Sequence, residues 1–79
     1  MPRPPKPLKY QHRPETLVRS KLKALRVLTT EQIVASLKPG AANPLTVKAD
    51  GTIMEGNHRI FVLRERDVEV DTLPRTPYK

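Results

Sequence analysis

The stretch Leu45–Asp67, which reads LTVKADGTIMEGNHRIFVLRERD, decides the fold of this 79-residue chain. Two short apolar runs flank Asp50-Gly51, a dipeptide typical of β-hairpin turns because both of its positions tolerate φ > 0. A two-residue turn at this point would place Val47 opposite Met54, with both side chains in the core. The sequence therefore predicts an antiparallel hairpin here.

The second strand of this hairpin runs into Gly56, and a helical pattern starts directly after it. Asn57 is a favourable N-cap, which would leave the amide N–H groups of His58, Arg59 and Ile60 without helical acceptors. Such amides lie at the positive end of the helix dipole, and Gly56 lets an anion approach them because it has no Cβ. The guanidinium of Arg59 adds a planar donor matched to phosphate oxygens. We therefore predict a phosphate or nucleotide site formed by these turn residues, Gly56, Asn57, His58 and Arg59.

Two side chains at the same turn are candidates for catalysis. His58 is within reach of any anion that Arg59 holds, so it could donate a proton or bind phosphate. Glu55 is the nearest carboxylate that could accept a proton or bind Mg²⁺. The competing interpretation is structural: Gly56 as a plain turn, His58 as a surface residue, and Arg59 as the ion-pair partner of a nearby acid. The chain has no cysteine and two histidines, so no metal site is firmly predicted.

The segment before the hairpin contains a well-marked helix start. Thr29 and Gln32 have capping-box spacing, and Pro39 ends the helix that they begin. Residues 15–28 fit either a helix with a basic outer face or an extended segment that leads into the domain.

The segment after Arg59 completes the fold. Ile60, Phe61 and Leu63 supply the buried side of the helix, while Val68 and Val70 alternate with acidic residues and predict a third strand. The elements add up to an α/β (α+β) domain with a small mixed sheet, a β-hairpin and two or three helices.

The positive charge is concentrated in the first third of the chain. Residues 1–26 contain eight Lys and Arg against one acid, which accounts for the whole net charge of +7. We expect residues 1–14 to be an extended or disordered basic, proline-rich arm and residues 15–79 to be a single domain. Such a basic segment is either a solvated surface or a site for phosphate contacts with nucleic acid. The candidate nucleic-acid contacts are Arg13, Arg19, Lys21, Lys23 and Arg26.

Composition also limits the cellular setting. No apolar run approaches the roughly 18 residues that a membrane span needs, so we expect a cytoplasmic protein without a membrane partner. A homodimer would let so small a domain bury further area.

The order of these features resembles the ParB/sulfiredoxin superfamily, and in particular its ParB N-terminal-like (ParB-like nuclease) domain. The resemblance covers residues 29–75 and rests on a helix, a hairpin with Asp-Gly at its turn, and Gly-x-x-Arg at Gly56–Arg59 opening a second helix. It implies a ParB/sulfiredoxin-like fold, nucleotide or phosphate binding at that turn, and a nucleoside triphosphate with Mg²⁺ as cofactor. It also implies nuclease or phosphotransferase activity on, or together with, nucleic acid.

The chain departs from several branches of that superfamily. Sulfiredoxins have a catalytic cysteine where Asn57 stands, so their activity is excluded. Partitioning proteins have a second basic residue where His58 stands, and kinase-like members have other residues at Glu55 and Asn57. Two further hypotheses stay open: a non-catalytic DNA- or RNA-binding module that uses the basic N-terminal third, and a small protein-interaction component.

Overall fold

Three helices and a three-stranded sheet make up the part of the chain that the computed structural model describes, residues 7–11 and 17–78. The strands form one mixed sheet with the order β2-β1-β3, in which β1 is antiparallel to β2 and parallel to β3. The predicted class, a small mixed α+β domain, is confirmed. In chain order the elements are α1 (Arg19–Arg26), α2 (Thr30–Leu37), β1 (Thr46–Val47), β2 (Ile53–Glu55), α3 (Asn57–Glu65) and β3 (Thr76–Pro77).

Helix α2 begins with the predicted capping box. The Thr29 hydroxyl accepts a hydrogen bond from the Gln32 amide at 3.1 Å, and the Gln32 side chain accepts one from the Thr29 amide at 2.8 Å. Pro39 follows the C-cap residue Lys38, which is already extended with ψ 146°. Because both ends of α2 are fixed by local sequence, its last turn has a defined place beside the sheet.

The hairpin forms, but its register differs from the prediction. Gly51 has a φ of +95°, and Asp50 is not among the described residues with positive φ. The Gly51 amide donates to the Lys48 carbonyl and the Lys48 amide donates to the Thr52 carbonyl, so the loop has three residues rather than two.

The longer loop shifts the partner of Val47 by one residue. Val47 pairs with Ile53, and Ile53 is fully buried while Met54 is only half-buried. The predicted pairing of Val47 with Met54 is therefore wrong, because a one-residue slip exchanges the two faces of a strand.

The predicted third strand at Val68–Val70 is also wrong, and the end of α3 explains why. Asp67 has a φ of +58°, its amide donates to the Arg64 carbonyl, and the Val68 amide donates to the Leu63 carbonyl. This is the hydrogen-bond pattern of a Schellman motif. The Val68 amide is therefore used to close the helix and cannot join a ladder.

The third strand lies further along the chain instead. The amides of Thr76 and Tyr78 donate to the carbonyls of Leu45 and Val47, which places β3 parallel to β1. Pro77 has no N–H to contribute, and it is tolerated because β3 is at the edge of the sheet.

The core lies between the sheet and the helices, and it includes a residue from the predicted N-terminal arm. Leu8 is 4% exposed, and Lys9 forms a parallel bridge to Thr52 next to β2. The predicted boundary between residues 14 and 15 lies outside the described ranges. The buried apolar residues are Leu8, Leu22, Ile33, Leu37, Leu45, Val47, Ile53, Ile60, Val62, Leu63 and Val70.

The helical interpretation of the segment before Thr29 is confirmed by α1. Leu22 is buried, and Leu17 and Leu25 pack against the core. In α3 the buried set is Ile60, Val62 and Leu63, whereas Phe61 is only half-buried and contacts the ring of Tyr10. Within residues 7–11 and 17–78, no helix is long and apolar enough to cross a membrane.

Candidate anion site

Gly56 joins β2 to α3 in a conformation that other residues rarely adopt. Its φ is +111°, and it is the N-cap of α3, a position that the sequence assigned to Asn57. A Cβ at this position would lie 3.2 Å from Leu37 Cδ2 and 3.3 Å from Leu45 Cδ1. Both its backbone conformation and its packing therefore favour glycine.

The shift of the N-cap by one residue changes which amides are free. The Ile60 amide donates to the Gly56 carbonyl as the first helical hydrogen bond. Among the residues that the structure describes, the amides of Asn57, His58 and Arg59 have no acceptor. Three donors thus lie at the positive end of α3, one position earlier than predicted.

The side chain of Asn57 connects the turn to the N-terminal segment that the structure describes, residues 7–11. Its Oδ1 accepts a hydrogen bond from the Gln11 amide at 3.0 Å, and its Nδ2 donates to the Ile53 carbonyl at 3.1 Å. The side chain of Asn57 is therefore occupied, and what it offers a ligand is its main-chain N–H.

The imidazole of His58 connects the same turn to α1. Its Nε2 accepts a hydrogen bond from the Val18 amide at 3.0 Å, so this nitrogen carries no proton and the hydrogen of the neutral ring is on Nδ1. Burial lowers the pKa of His58, and Lys21 lowers it further, while Glu55 acts in the opposite direction. His58 is neutral in this arrangement, and Nδ1–H is the donor it has left.

The guanidinium of Arg59 lies between α2 and the turn. Its Nη1 donates to the Ser36 carbonyl at 2.9 Å and to the Ser36 hydroxyl at 3.1 Å. Its Nη2 is 3.9 Å from Glu55 Oε1, so the predicted ion pair exists, although it is long. Burial lowers the pKa of Arg59 and Glu55 opposes this, yet an arginine with so high a pKa stays charged at neutral pH.

A cavity of about 480 Å³ opens beside this turn. The strand-to-helix turn contributes Glu55, Gly56, Asn57, His58 and Arg59, and α1 with the residues after it contributes Lys21, Ala24, Leu25 and Leu28. Ser36 and Asn43 complete the wall. The cavity therefore joins a polar wall, with one acid and one base, to a wall that is apolar except for Lys21.

A second cavity of about 270 Å³ lies next to the first. The two share Lys21 and the residues from Glu55 to His58. Gln11, Leu17 and Met54 supply the rest of the second wall. The turn is therefore open on more than one side.

The two predicted catalytic residues, Glu55 and His58, lie at the same cavities but differ in how accessible their side chains are. His58 and Glu55 both line the two cavities. The Glu55 side chain is 59% exposed and the Nε2 atom of His58 is occupied by the backbone of α1. Glu55 is thus the more accessible of the two candidates.

The predicted nucleic-acid contacts do not share one face. Lys21 lines the cavity, whereas Arg19 and Lys23 are exposed elsewhere on α1. Arg26 forms an ion pair of 2.8 Å with Glu65 on α3. Arg13 lies outside the described residues.

Sequence reasoning missed three parts of this site. Lys21 was predicted to contact nucleic acid rather than to lie beside the turn. Neither Ser36 nor Asn43 belongs to a sequence motif. The spacing of Lys21 and Leu25 on one side of a helix could have indicated a common wall. Nothing local in the sequence marks Ser36, because its partner Arg59 is 23 residues away.

Comparison of the chain with family models, with curated proteins and with solved structures gives no match.

Proposed function

We propose that the cavity at the start of α3 binds the phosphate group of a nucleotide or of a nucleic acid. One observation carries this proposal: a single cavity of about 480 Å³ is lined by Lys21 and by Asn57, His58 and Arg59, the three residues whose amides have no acceptor in the described part of the chain. Glu55 is the acid among its lining residues, so the cavity has an excess of positive charge. An anion with several oxygens is the ligand that such donors select.

The apolar wall extends the proposal to the rest of the ligand. Ala24, Leu25 and Leu28 give a surface on which a base or sugar can pack while the phosphate lies at the turn. Binding sites for small molecules typically combine a largely apolar wall with a few converging polar groups. A nucleotide therefore fits the cavity better than a bare phosphate ion does.

We further propose that the domain is ParB-like. The order of α2, the hairpin and the Gly-x-x-Arg turn that opens α3 supports this assignment. A nucleoside triphosphate with Mg²⁺ would then be the cofactor, with Glu55 as the cavity's carboxylate and the phosphates as the remaining ligands of the ion. If the domain is a nuclease or phosphotransferase in which Glu55 does not bind the ion, Glu55 would act as the base, and His58 would act through Nδ1.

A second candidate function is a nucleic-acid-binding module without catalysis. The exposed side chains of Arg19 and Lys23 on α1 favour it, because neither forms a described ion pair. In that case the turn would hold one backbone phosphate and the helix would supply further contacts.

An amide NMR titration of the labelled protein tests these candidates. CTP, ATP and a short duplex DNA are added in turn, with and without Mg²⁺, to the wild type and to Lys21→Ala. Lys23→Ala is the matched control, since it removes the same charge from the same helix outside the cavity. We expect Lys21→Ala to weaken nucleotide binding about fivefold, since an exposed charge contributes up to about 1 kcal/mol, and Lys23→Ala to leave it unchanged.

The other outcomes separate the hypotheses. If duplex DNA binds and both variants weaken it equally, without shifts at Gly56–Ile60, the function lies in the basic segment and the nucleotide proposal is wrong. If no ligand moves any amide, the chain is better explained as a protein-interaction component.

A further inference from the structure

The two ends of the Arg59 guanidinium have different environments. Nη1 has two acceptors on Ser36, at 2.9 Å and 3.1 Å. Nη2 lies 3.6 Å from the position that a Cβ on Gly56 would occupy, and its closest charged neighbour is Glu55 at 3.9 Å. The group as a whole is largely enclosed, with 12% of the side chain exposed. One end is therefore fixed to the protein, and the other faces the turn.

Ser36 is well suited to fix that orientation. It lies in the last turn of α2, where carbonyl groups lack helical donors and attract positive charge. Its hydroxyl donates to the Ile33 carbonyl at 2.7 Å, which orients the oxygen lone pairs away from α2 and toward Nη1. The carbonyl and the hydroxyl of Ser36 thus both accept hydrogen bonds from Arg59, and the hydroxyl is itself bonded to the backbone of α2.

Without its hydrogen bonds to Ser36, the Arg59 guanidinium has an alternative partner in Glu55. Rotation of its side chain toward Glu55 would shorten the 3.9 Å ion pair and neutralise the cation beside the cavity. The two Ser36 bonds compete with that movement, because they hold the other terminal nitrogen, Nη1, on α2.

From this geometry we propose that Ser36 is a positioning residue for the anion site, and this inference rests on the proposed function. By holding Nη1, Ser36 keeps Nη2 directed across Gly56 into the cavity and away from a full ion pair with Glu55. The arginine then presents Nη2 together with Nε to a ligand with two oxygens, such as a phosphate.

The test uses inorganic pyrophosphate as the probe, titrated against the full chain and followed by the amides of Asn57–Ile60. We expect Ser36→Ala to weaken binding about fivefold, because one of the two hydrogen bonds to a charged group is lost. Ser36→Thr keeps the hydroxyl and should bind within about twofold of the wild type. Alanine is a good helix former, so α2 persists in the first variant.

Two readouts distinguish positioning from a merely structural role. In an Arg59→Lys background, Ser36→Ala should have no further effect on pyrophosphate binding, since the two residues act through one contact. In addition, the guanidinium protons of Arg59 should exchange faster with water in Ser36→Ala than in the wild type, in the absence of any ligand.

Each remaining outcome contradicts the inference. If the wild type binds pyrophosphate at the turn and Ser36→Ala binds equally well, Ser36 does not position Arg59, while the proposed function stands. Equal losses from Ser36→Ala in the wild-type and Arg59→Lys backgrounds would show a general effect on α2. If the wild type gives no response to pyrophosphate at Asn57–Ile60, the inference fails, and the titration with CTP and ATP decides whether the proposed function fails with it.

Discussion

The imidazole of His58 lies between α3 and the start of α1, and its protonation state decides whether it can accept a hydrogen bond there. Its Nε2 accepts the Val18 amide at 3.0 Å, which only an unprotonated nitrogen can do. Protonation replaces this acceptor with a donor and places a cation near Lys21. The hydrogen bond that connects α3 to the start of α1 is therefore lost in acid.

This contact predicts a pH dependence of stability. The pKa of His58 is lowered in the folded chain, mainly by burial, so the unfolded chain takes up the proton first as the pH falls below about 6.5. Stability is thus fully present above that pH and decreases as the pH falls toward the lowered folded value. His58→Gln keeps an acceptor that does not titrate.

Urea denaturation of the wild type and His58→Gln between pH 5 and 8 measures this difference. We expect the stability of the variant to vary less with pH than that of the wild type. Parallel pH profiles for the two proteins would show that the Val18 contact does not depend on His58 titration.

Gly56 and Gly40 offer a matched pair for the effect of packing at the turn. Both have positive φ, +111° and +92°, so alanine is strained at either position. A Cβ at Gly40 meets nothing within 4 Å, whereas one at Gly56 meets Leu37 and Leu45 at 3.2 Å and 3.3 Å.

The prediction is that Gly56→Ala costs more free energy of unfolding than Gly40→Ala. We expect about 1 kcal/mol for Gly40→Ala from the backbone alone, and about 2–3 kcal/mol for Gly56→Ala because the two leucines must also move. Urea denaturation of both variants at neutral pH provides the comparison. Equal losses would mean that the leucines adjust freely and that only the backbone requires glycine at the turn.

Helices and strands with strong local signals were predictable here. The Thr29–Gln32 capping box and Pro39 define both ends of α2 within ten residues of sequence, and the structure has the predicted hydrogen bonds. The Gly56 turn and the start of α3 were placed correctly to within one residue. These features depend on neighbours in the sequence, which is why a pattern of residue types reveals them.

Features that depend on distant partners were not predictable in the same way. Val68 and Val70 have the alternation of a strand, but the Schellman motif at Asp67 takes the Val68 amide and the chain reaches the sheet only at Thr76. The hairpin loop has three residues because Ala49 joins it, and the Asp50-Gly51 pair alone does not distinguish the two loop lengths.

The candidate site also combines residues that local sequence reveals with residues that only the tertiary structure brings together. The motif residues from Gly56 to Arg59 were found from local sequence, since each has a chemical role in a strand-to-helix turn. Lys21 and Ser36 reach the site from α1 and α2, which only the packing of the three helices brings together. The donors of the turn were therefore predictable, and the wall opposite them was not.

For the molecule as a whole, residues 7–11 belong to the folding unit. The amide of Leu8 donates to Asp71 at 2.9 Å, and its carbonyl accepts from Arg64 at 2.9 Å. The Arg64 guanidinium also lies 5.0 Å from the centre of the Tyr10 ring. Residues 63 positions apart in sequence are thus joined around the end of α3.

The last prediction concerns how much this segment stabilises so small a domain. Leu8 is 4% exposed and Leu28 is 38% exposed, so Leu8→Ala and Leu28→Ala remove the same atoms from a buried and an open environment. We expect Leu8→Ala to cost about 2–4 kcal/mol and Leu28→Ala less than about 1 kcal/mol. A small domain has only about 5 kcal/mol in total, so the first variant should be partly unfolded at 37 °C. Thermal denaturation followed by circular dichroism gives the unfolding midpoint of each variant. Equal midpoints would mean that residues 7–11 can leave the core without a loss of stability. A selective loss with Leu8→Ala would instead show that the sheet, α3 and the candidate anion site at the start of α3 depend on residues 7–11.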